Sequence, residues 1–356
     1  MKKLITAIFI FSFLLYADES CENKLKVQPY GFFKLDMSYD SDLSSAGNFA
    51  RWALPNSDDA IPTTNITAKQ SRFGINIAKG DIAGKVEIDF YGVGSAENKG
   101  GVLLRKAYAE AKFEKFTLRA GQDSDIISPL VPSTVNYPVA WWAGNIGYRR
   151  PMVKIFGNCD LLSWNFGLAR NIEGDLGDDG INDGIAGVIP EVQGRLATTL
   201  LDNYTIGLSG HFSQMDDTNV GKYKSWSGNV DLNLVITPTI TISGEAFVGS
   251  NLARMLGGIA NASTVDGVDT QGGWVNLKFK PNKDLSLSAG FSMDDPCDCD
   301  LENGMRSKNT MIFANFHKNI LQGFLLGVEV SNWTTEYKNM DTASALRGQI
   351  AFLYKF

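Results

Sequence analysis

Short segments in which apolar and polar residues alternate recur along almost the whole chain, and this alternation limits the fold more than any other feature. Between residues 284 and 293, for example, Leu285, Leu287 and Ala289 alternate with Ser286 and Ser288. Because successive side chains of a strand point to opposite faces, each such segment predicts a strand with one apolar and one polar face. Helical periodicity is nearly absent, so the sequence predicts an all-β protein.

The segments are regular enough to be counted, and we predict about sixteen strands, an even number as in single-chain bacterial barrels. They span residues 27–39, 68–78, 82–92, 103–113, 116–122, 146–157, 161–170, 190–200, 204–213, 225–236, 239–249, 271–280, 284–293, 309–317, 322–333 and 345–356. The connections alternate between tight turns and long loops, the pattern of short periplasmic turns and long outer loops. This predicts a transmembrane antiparallel β-barrel, with lipid around its apolar face and water along its polar face. A soluble β-sandwich, the alternative, would not need the alternating connections.

The start of the chain differs from the rest in composition. A basic head at residues 1–3 precedes an apolar run over residues 4–16, and the small residue Ala17 follows. This arrangement predicts a secretory signal peptide, since a single anchoring helix, the alternative, would need ~20 apolar residues. We expect a signal peptide over 1–17, a short periplasmic segment over 18–27 and a barrel over 28–356 in the Gram-negative outer membrane.

The segment between residues 116 and 156 contains the most distinctive loop of the chain. Two alternating stretches enclose an irregular run with Pro129, Pro132, Pro138, Trp141 and Trp142. We interpret this run as a constriction loop that folds into the barrel and narrows a water-filled pore. Its first carboxylates are expected either to face the pore opposite the basic residues or to fix the loop to the wall; they are Asp123 and Asp125.

Charged residues share the polar face of the predicted strands. A charge in the lipid-facing band would cost ~2–4 kcal/mol at the midplane, so these side chains are expected to point to the lumen. Most of them are expected to pair across neighbouring strands. The basic members are Arg72, Lys85, Arg119, Arg150, Lys154, Arg195 and Arg347, and the acidic members are Glu87, Asp89, Glu110, Asp231, Glu245 and Glu329.

Three of the arginines, Arg72, Arg119 and Arg150, lie on strands close in sequence to the constriction loop. A guanidinium stays protonated and offers a fixed set of donors to carboxylates, so several of them in a narrow opening would favour anions. Arg149 is adjacent to Arg150, and the alternation leaves open which of the two faces the pore. Neutralising Arg119 or Arg150 is expected to lower the preference for anions.

Several motifs in the first half of the chain point to a known family. They are Tyr30–Asp36 (YGFFKLD), Gln70–Gly74 (QSRFG), Glu87–Tyr91 (EIDFY), Leu104–Tyr108 (LRKAY), Gly121–Gln122 and Arg149–Pro151 (RRP). In this order they resemble the opening strands of DcaP-like outer-membrane porins. The resemblance covers about residues 28–157, and the remainder is similar only as a generic barrel.

The resemblance implies a sixteen-stranded homotrimeric porin that passes small anions, including dicarboxylates. It makes Arg72, Arg105, Arg119 and either Arg149 or Arg150 the pore candidates, and Lys154 shares the polar face of the same strand. The family also has a helical, coiled-coil-forming segment before the barrel. Here residues 18–27 leave little room for one.

Other functions were weighed against a passive channel. A barrel enzyme needs a nucleophile and a base within hydrogen-bond reach, and only His211 and His317 are histidine bases. An adhesin or receptor barrel acting through its outer loops is the second alternative. We expect a channel with no catalytic residue, no cofactor, no metal and no nucleic-acid partner, whose partners are outer-membrane lipid and small anionic solutes.

Three further features carry weaker expectations. Cys21 and Cys159 fall on the same predicted side, so a disulfide between them is a hypothesis, and Cys297 and Cys299 are expected to form a loop disulfide or stay free thiols rather than bind metal. The acidic loop 173–183 offers carboxylates to Ca²⁺ but lacks the EF-hand spacing. Aromatic residues near strand ends suit interfacial girdles; these are Trp164, Trp274, Trp333 and Tyr354.

Overall fold

The computed structural model describes residues 24–45, 47–55, 59–92, 100–172, 186–217 and 220–356. Within these ranges no helix is long and apolar enough to cross a membrane. The strands, in chain order, are β1 Lys26–Asp40, β2 Thr63–Thr67, β3 Arg72–Lys79, β4 Ile82–Gly92, β5 Gly101–Lys112, β6 Thr117–Ser124, β7 Arg149–Cys159, β8 Leu162–Ala169, β9 Ala186–Leu200, β10 Tyr204–Asp217, β11 Gly221–Thr237, β12 Ile240–Ser250, β13 Asp269–Asn282, β14 Leu285–Pro296, β15 Arg306–Leu321, β16 Phe324–Tyr337 and β17 Ala343–Lys355.

The strands form one closed antiparallel sheet. From β3 to β17 each strand pairs with the next, and β17 closes the barrel on β1, with Phe32 opposite Lys355 and Asp40 opposite Arg347. Both β2 and β3 pair with β1, so they are two segments of one strand position, interrupted at residues 68–71. The barrel therefore has sixteen strand positions, and the predicted all-β architecture is confirmed.

The two faces of the barrel have opposite character. In β17, Leu346 and Ile350 are half exposed, whereas Arg347 and Gln349 between them are buried. Apolar side chains thus cover the outside and polar ones the inside, the inverse of a soluble barrel. This distribution suits lipid outside and water or polar loops inside. The predicted orientation of the faces is confirmed.

Several strands continue beyond their predicted ends. β9 begins at Ala186 rather than at residue 190, and β15 covers Arg306–Leu321 rather than residues 309–317. Backbone pairing continues beyond the lipid-facing band, where the regular alternation of apolar and polar residues is lost. Alternation therefore marks the part of a strand that meets lipid, and not its whole length.

Two of the aromatic residues near strand ends are packing residues rather than girdle residues. The indoles of Trp274 and Trp333 are buried inside the barrel, where Trp274 donates to Glu245 Oε2 (3.1 Å) and Trp333 to Ser331 Oγ (3.2 Å). Both alternate in step with the polar residues of their strands, so they point inward. Nearness to a strand end does not give this information. Tyr354 does lie exposed on the apolar face.

Some expectations concern residues that the structure does not describe. The predicted signal peptide over 1–17, Cys21 and the acidic loop 173–183 lie outside the described residues. Cys159 is exposed at the end of β7, and Cys297 and Cys299 are joined to each other as a disulfide. The loop disulfide was one of the two states expected for that pair.

Candidate functional site

The loop between β6 and β7, residues 125–148, contacts strands on the far side of the sheet. Its backbone amides donate to polar side chains of β12, β13 and β16, which face the inside of the barrel. The pairs are Leu130 N with Glu245 Oε1 (2.7 Å), Ser133 N with Asn276 Oδ1 (3.0 Å) and Val135 N with Glu329 Oε2 (2.6 Å). These contacts agree with the predicted inward fold; that the loop narrows an open pore stays a prediction.

The loop depends on the wall for its conformation. Glu329, buried inside the barrel, also accepts from Asn136 N (3.4 Å) and Asn315 Nδ2 (3.0 Å). At Gly144, where φ is 107°, a Cβ would collide with the backbone oxygens of Gly273 and Met293. Only glycine permits so close an approach in this conformation. We call Glu245, Asn276, Asn315 and Glu329 the anchoring wall.

Two other long loops also fold inward and meet the constriction loop. In the first, residues 41–55, Ala50 O accepts from Asn136 Nδ2 (2.9 Å). In the second, residues 251–261, Leu256 O accepts from Trp142 N (2.7 Å) and Met255 O from Gly147 N (2.6 Å). The sequence analysis treated both as ordinary outer loops. Their apolar content was the available signal, because the structure buries Trp52, Leu252, Met255 and Ile259.

The opposite part of the barrel, β3 to β7, carries the basic residues that were predicted to face the pore. A β-bulge in β5 turns one of them, Arg105, to the inside. Glu87 is opposite Lys106 while the next residue, Ile88, is opposite Leu104, so Arg105 is the extra residue of the bulge. A bulge can re-aim a side chain to the other face. Strict alternation would put Arg105 on the apolar face, yet it is buried against Glu87 and Asp89.

We call six of the nine basic side chains on β3, β5, β6 and β7 the basic ladder: Arg72, Arg105, Lys106, Arg119, Arg149 and Lys154. Four carboxylates lie among them: Glu87, Asp89, Glu110 and Asp123. Glu87 binds Arg105 (2.8 Å) and, more loosely, Arg72 (3.7 Å). Six cations against four carboxylates leave an excess of two positive charges on this part of the wall.

Asp123 lies at the centre of a group of ion pairs formed by basic residues of β5, β6 and β7. Its two oxygens lie 2.9 Å from Lys106 Nζ and 2.7 Å from Lys154 Nζ, and Arg119 Nη1 also binds it. Arg119 is held from the other side by Glu110 (2.6 Å). Asp123 is thus shared by three cations and cannot neutralise them.

Arg149 and Arg150 are neighbours in sequence with different surroundings. Arg150 is fully buried and is bound by Asp125 (2.7 Å) and Glu191 (2.6 Å). Arg149 is also buried, but its Nε and Nη2 have no hydrogen-bond partner among the described residues. Its guanidinium lies over the ring of Tyr148, 4.4 Å from the centroid. The unpaired cation of this strand end is therefore Arg149.

Asp125 fixes the base of the loop. Besides Arg150, it accepts from Tyr148 N (2.7 Å) and from Gln193 Nε2 (2.7 Å). The carboxylates at the start of the loop were expected either to face the pore or to fix the loop to the wall. The contacts of Asp125 fit the second role. Asp123 instead faces the ladder.

A cavity of about 290 Å³ separates the ladder from the loop. Arg72, Arg105 and Arg149 line it on one side, and Tyr137 and Trp141 of the loop line it on the other. Burial raises the pKa of the Tyr137 phenol, so its hydroxyl stays neutral at pH 7 and can donate. Three guanidinium groups and a phenol around one cavity form a donor set that suits carboxylate oxygens.

The structure sorts the predicted site residues into two groups. Arg72, Arg105 and Arg149 meet at the cavity, while Arg119, Lys154 and Asp123 form the ion-pair cluster beside it. Arg150 and Asp125 form a buried pair at the loop base. The role of every one of these residues in permeation stays a prediction. Tyr137 and Tyr148 also line the cavity, and no role was expected for either from the sequence.

This arrangement can be compared with known proteins. Residues 17–150 match the model of the DcaP outer membrane protein family. The predicted resemblance to that family is confirmed. The matched part contains the loop and the ladder as far as Arg150, and no curated protein matches the sequence at a significant level.

Solved structures share the fold over nearly the whole chain. The outer membrane channel DcaP of Acinetobacter baumannii is 16% identical, covers 96% of this chain and 99% of its own, and has a TM-score of 0.78. An anion-selective porin from Comamonas acidovorans is 12% identical, covers 93% and 100%, and has a TM-score of 0.65. The trimer form of Vibrio cholerae OmpT is 12% identical, covers 93% and 99%, and has a TM-score of 0.60. The chain therefore has the porin fold.

Proposed function

We propose that this protein is a passive diffusion channel of the outer membrane, with a preference for small anions such as dicarboxylates. The observation that carries the proposal is Arg149, a buried guanidinium that has no carboxylate partner among the described residues and lines the same cavity as Arg72 and Arg105. A charge in so confined a place is poorly screened, so it attracts anions and repels cations locally. The formal net charge of −6 for the whole chain does not oppose this local field.

Dicarboxylates fit the cavity because the cations are spread around it. One carboxylate can bind Arg149 while the other meets Arg72 or Arg105, whose own carboxylate partners leave part of each guanidinium unused. Arg–carboxylate pairs are among the stronger hydrogen-bonded contacts. Arg72 and Arg105 already hold carboxylates of the protein, so each offers a solute only part of its donors and the solute can also leave.

The proposal also covers how the protein is exported and how it assembles. Export by a signal peptide over residues 1–17 and assembly as a homotrimer belong to the proposal, in line with the trimer form of OmpT. The alternative, an adhesin or receptor barrel, would not need the unpaired arginine inside the barrel.

The proposal is tested with the purified protein in planar bilayers and in liposomes. We expect open channels, faster swelling with succinate than with a neutral sugar of similar size, and slower swelling with a diamine. Bilayers in which the protein conducts no ions would contradict the proposal. So would liposomes that swell at the same rate with all three solutes.

A further inference from the structure

A second cavity, of about 510 Å³, lies at the end of the barrel that carries the long loops. It is enclosed by the three inward loops, residues 41–55, 125–148 and 251–261. Its volume is within the range of ~300–1,000 Å³ that small-molecule sites occupy. The lining residues that matter here are Arg51, Trp142, Tyr148, Tyr223, Arg254 and Leu256.

Two cations line this cavity, Arg51 and Arg254, and Arg51 is the one that packs against two indole rings. Its guanidinium lies 4.4 Å from the ring centroid of Trp52 and 4.9 Å from that of Trp142. Its hydrogen bonds go to one hydroxyl, Ser45 Oγ, from Nε (3.1 Å) and Nη2 (2.7 Å). Across the described part of the chain, no carboxylate lies within ion-pair distance of Arg51. Part of its donor fork is therefore left for another acceptor.

The charged neighbour of Arg51 is another arginine. Arg306 stacks on the same indole, 4.5 Å from the Trp52 centroid, and donates to Ile259 O (2.6 Å) and Ala260 O (3.2 Å). Burial, together with the charge of Arg306, lowers the pKa of Arg51 below its ordinary value. A bound anion would relieve the repulsion between the two guanidinium groups.

The rest of the lining is aromatic and apolar. Trp142, Tyr148 and Tyr223 contribute rings, and Leu256 contributes an aliphatic surface. None of the described residues that line this cavity is acidic. The inner cavity differs, because three arginines and Asp125 line it.

We propose that this outer cavity is a binding site for aromatic carboxylates, with the carboxylate on Arg51 and the aromatic ring among Trp142, Tyr148 and Tyr223. A flat ring gains stacking and edge contacts there that an aliphatic chain of the same charge lacks. Tyr148 lines both cavities. A solute held on Arg51 is thus separated from the inner cavity by one side chain, and the site concentrates such solutes before they pass the ladder.

The site is tested by binding, which does not require the channel to conduct or to be selective. Benzoate is titrated into the detergent-solubilised full-length protein, and binding is followed by saturation-transfer NMR. Cyclohexanecarboxylate is the comparison ligand, with the same charge and no aromatic ring. The variants are Arg51→Gln, Arg51→Lys, the inner-cavity variant Arg149→Gln and the control Lys222→Gln, which removes an exposed charge at the same end of the barrel.

We expect benzoate to bind more tightly than cyclohexanecarboxylate, and Arg51→Gln to weaken benzoate binding about tenfold. Arg51→Lys should retain part of the affinity, which separates loss of charge from loss of the local fold. Lys222→Gln should bind benzoate like the wild type, and Arg149→Gln should weaken benzoate binding less than Arg51→Gln does. Equal affinity in wild type and Arg51→Gln would overturn the proposal, and so would a loss confined to Arg149→Gln, which would place benzoate in the inner cavity.

Discussion

Two parts of the barrel interior carry many charged and polar groups and use them in opposite ways. On the anchoring wall, the carboxylates of Glu245 and Glu329 accept backbone N–H groups of the constriction loop. On the basic ladder, five cations share four carboxylates, and the sixth cation, Arg149, has no hydrogen-bond partner at two of its nitrogens among the described residues. The carboxylates of the anchoring wall are bound by groups of the protein, whereas part of the other wall is left for a solute.

This difference shows that position on the polar face does not by itself assign a role. A buried acceptor that is matched by a backbone donor stabilises the loop, and replacing it leaves orphaned amides. A buried cation without a partner costs folding free energy, because its desolvation is not compensated, and it contributes much to the local potential. The consequence is a loop held against one wall so that the opposite wall, with its excess positive charge, faces the remaining space.

The largest expected effect separates two adjacent arginines. Arg150→Met leaves Asp125 and Glu191 buried without their cation, which should cost about 3–5 kcal/mol of unfolding free energy. Arg149→Met removes a cation that has no ion pair, and should cost much less. Urea unfolding of both variants in lipid vesicles measures this; similar losses would mean that Arg149 is as much a structural residue as Arg150.

The next effect concerns the attachment of the loop. Glu329→Ala removes the acceptor of Val135 N and Asn136 N, and each amide left unsatisfied should cost roughly 1–3 kcal/mol. We expect the loop to leave the wall and single-channel conductance to rise. Asp231→Asn is the matched control, because Asp231 binds Arg195 rather than the loop. An unchanged conductance in Glu329→Ala would show that the loop does not depend on this wall.

A smaller effect is expected on selectivity. Arg149→Gln removes the unpaired charge from the inner cavity, and we expect the anion-to-cation permeability ratio to fall by roughly fivefold, on the order of 1 kcal/mol. Bi-ionic and salt-gradient recordings measure the ratio. Lys222→Gln, a change of the same charge on an exposed side chain, should leave it nearly unaltered; a comparable fall there would assign selectivity to surface charge.

The smallest effect is the dependence of selectivity on salt. Raising the ionic strength from 0.1 to 1 M shortens the Debye length from about 10 Å to about 3 Å. The contribution of ladder residues that reach solvent, such as Lys106, should weaken, while that of the buried Arg149 should persist. We therefore expect the wild-type permeability ratio to decline modestly and to stay above one. A complete loss at 1 M would mean that no buried charge contributes.

Much of the fold could be predicted from the sequence because lipid imposes alternation on every strand that crosses it. The inward loop between β6 and β7 was also predictable, since its prolines and tryptophans are unusual for a solvent-exposed loop. Arg105 was not predictable from alternation, because one bulge shifts it to the other face. The inward fold of residues 41–55 and 251–261 depends on contacts with distant strands, such as that of Asn309 Nδ2 with Arg51 O (2.8 Å), which no local pattern encodes.

The distinction between Arg149 and Arg150 was out of reach for a similar reason. The alternation of a strand gives the direction of a side chain only where the backbone pairing is regular. Arg149 is the first residue of β7, directly after the loop. What separates the two residues is the partner Glu191, which β9 supplies from 41 positions along the chain. Pairing across the barrel, rather than sequence spacing, decides which charge stays unpaired.

The most direct test of this account is the reversal potential of the wild-type protein in a planar bilayer under a KCl gradient. An interior whose excess positive charge faces the pore predicts a reversal potential of the sign given by chloride permeation, in a protein whose net charge is −6. A reversal potential of the sign given by potassium permeation would contradict the account.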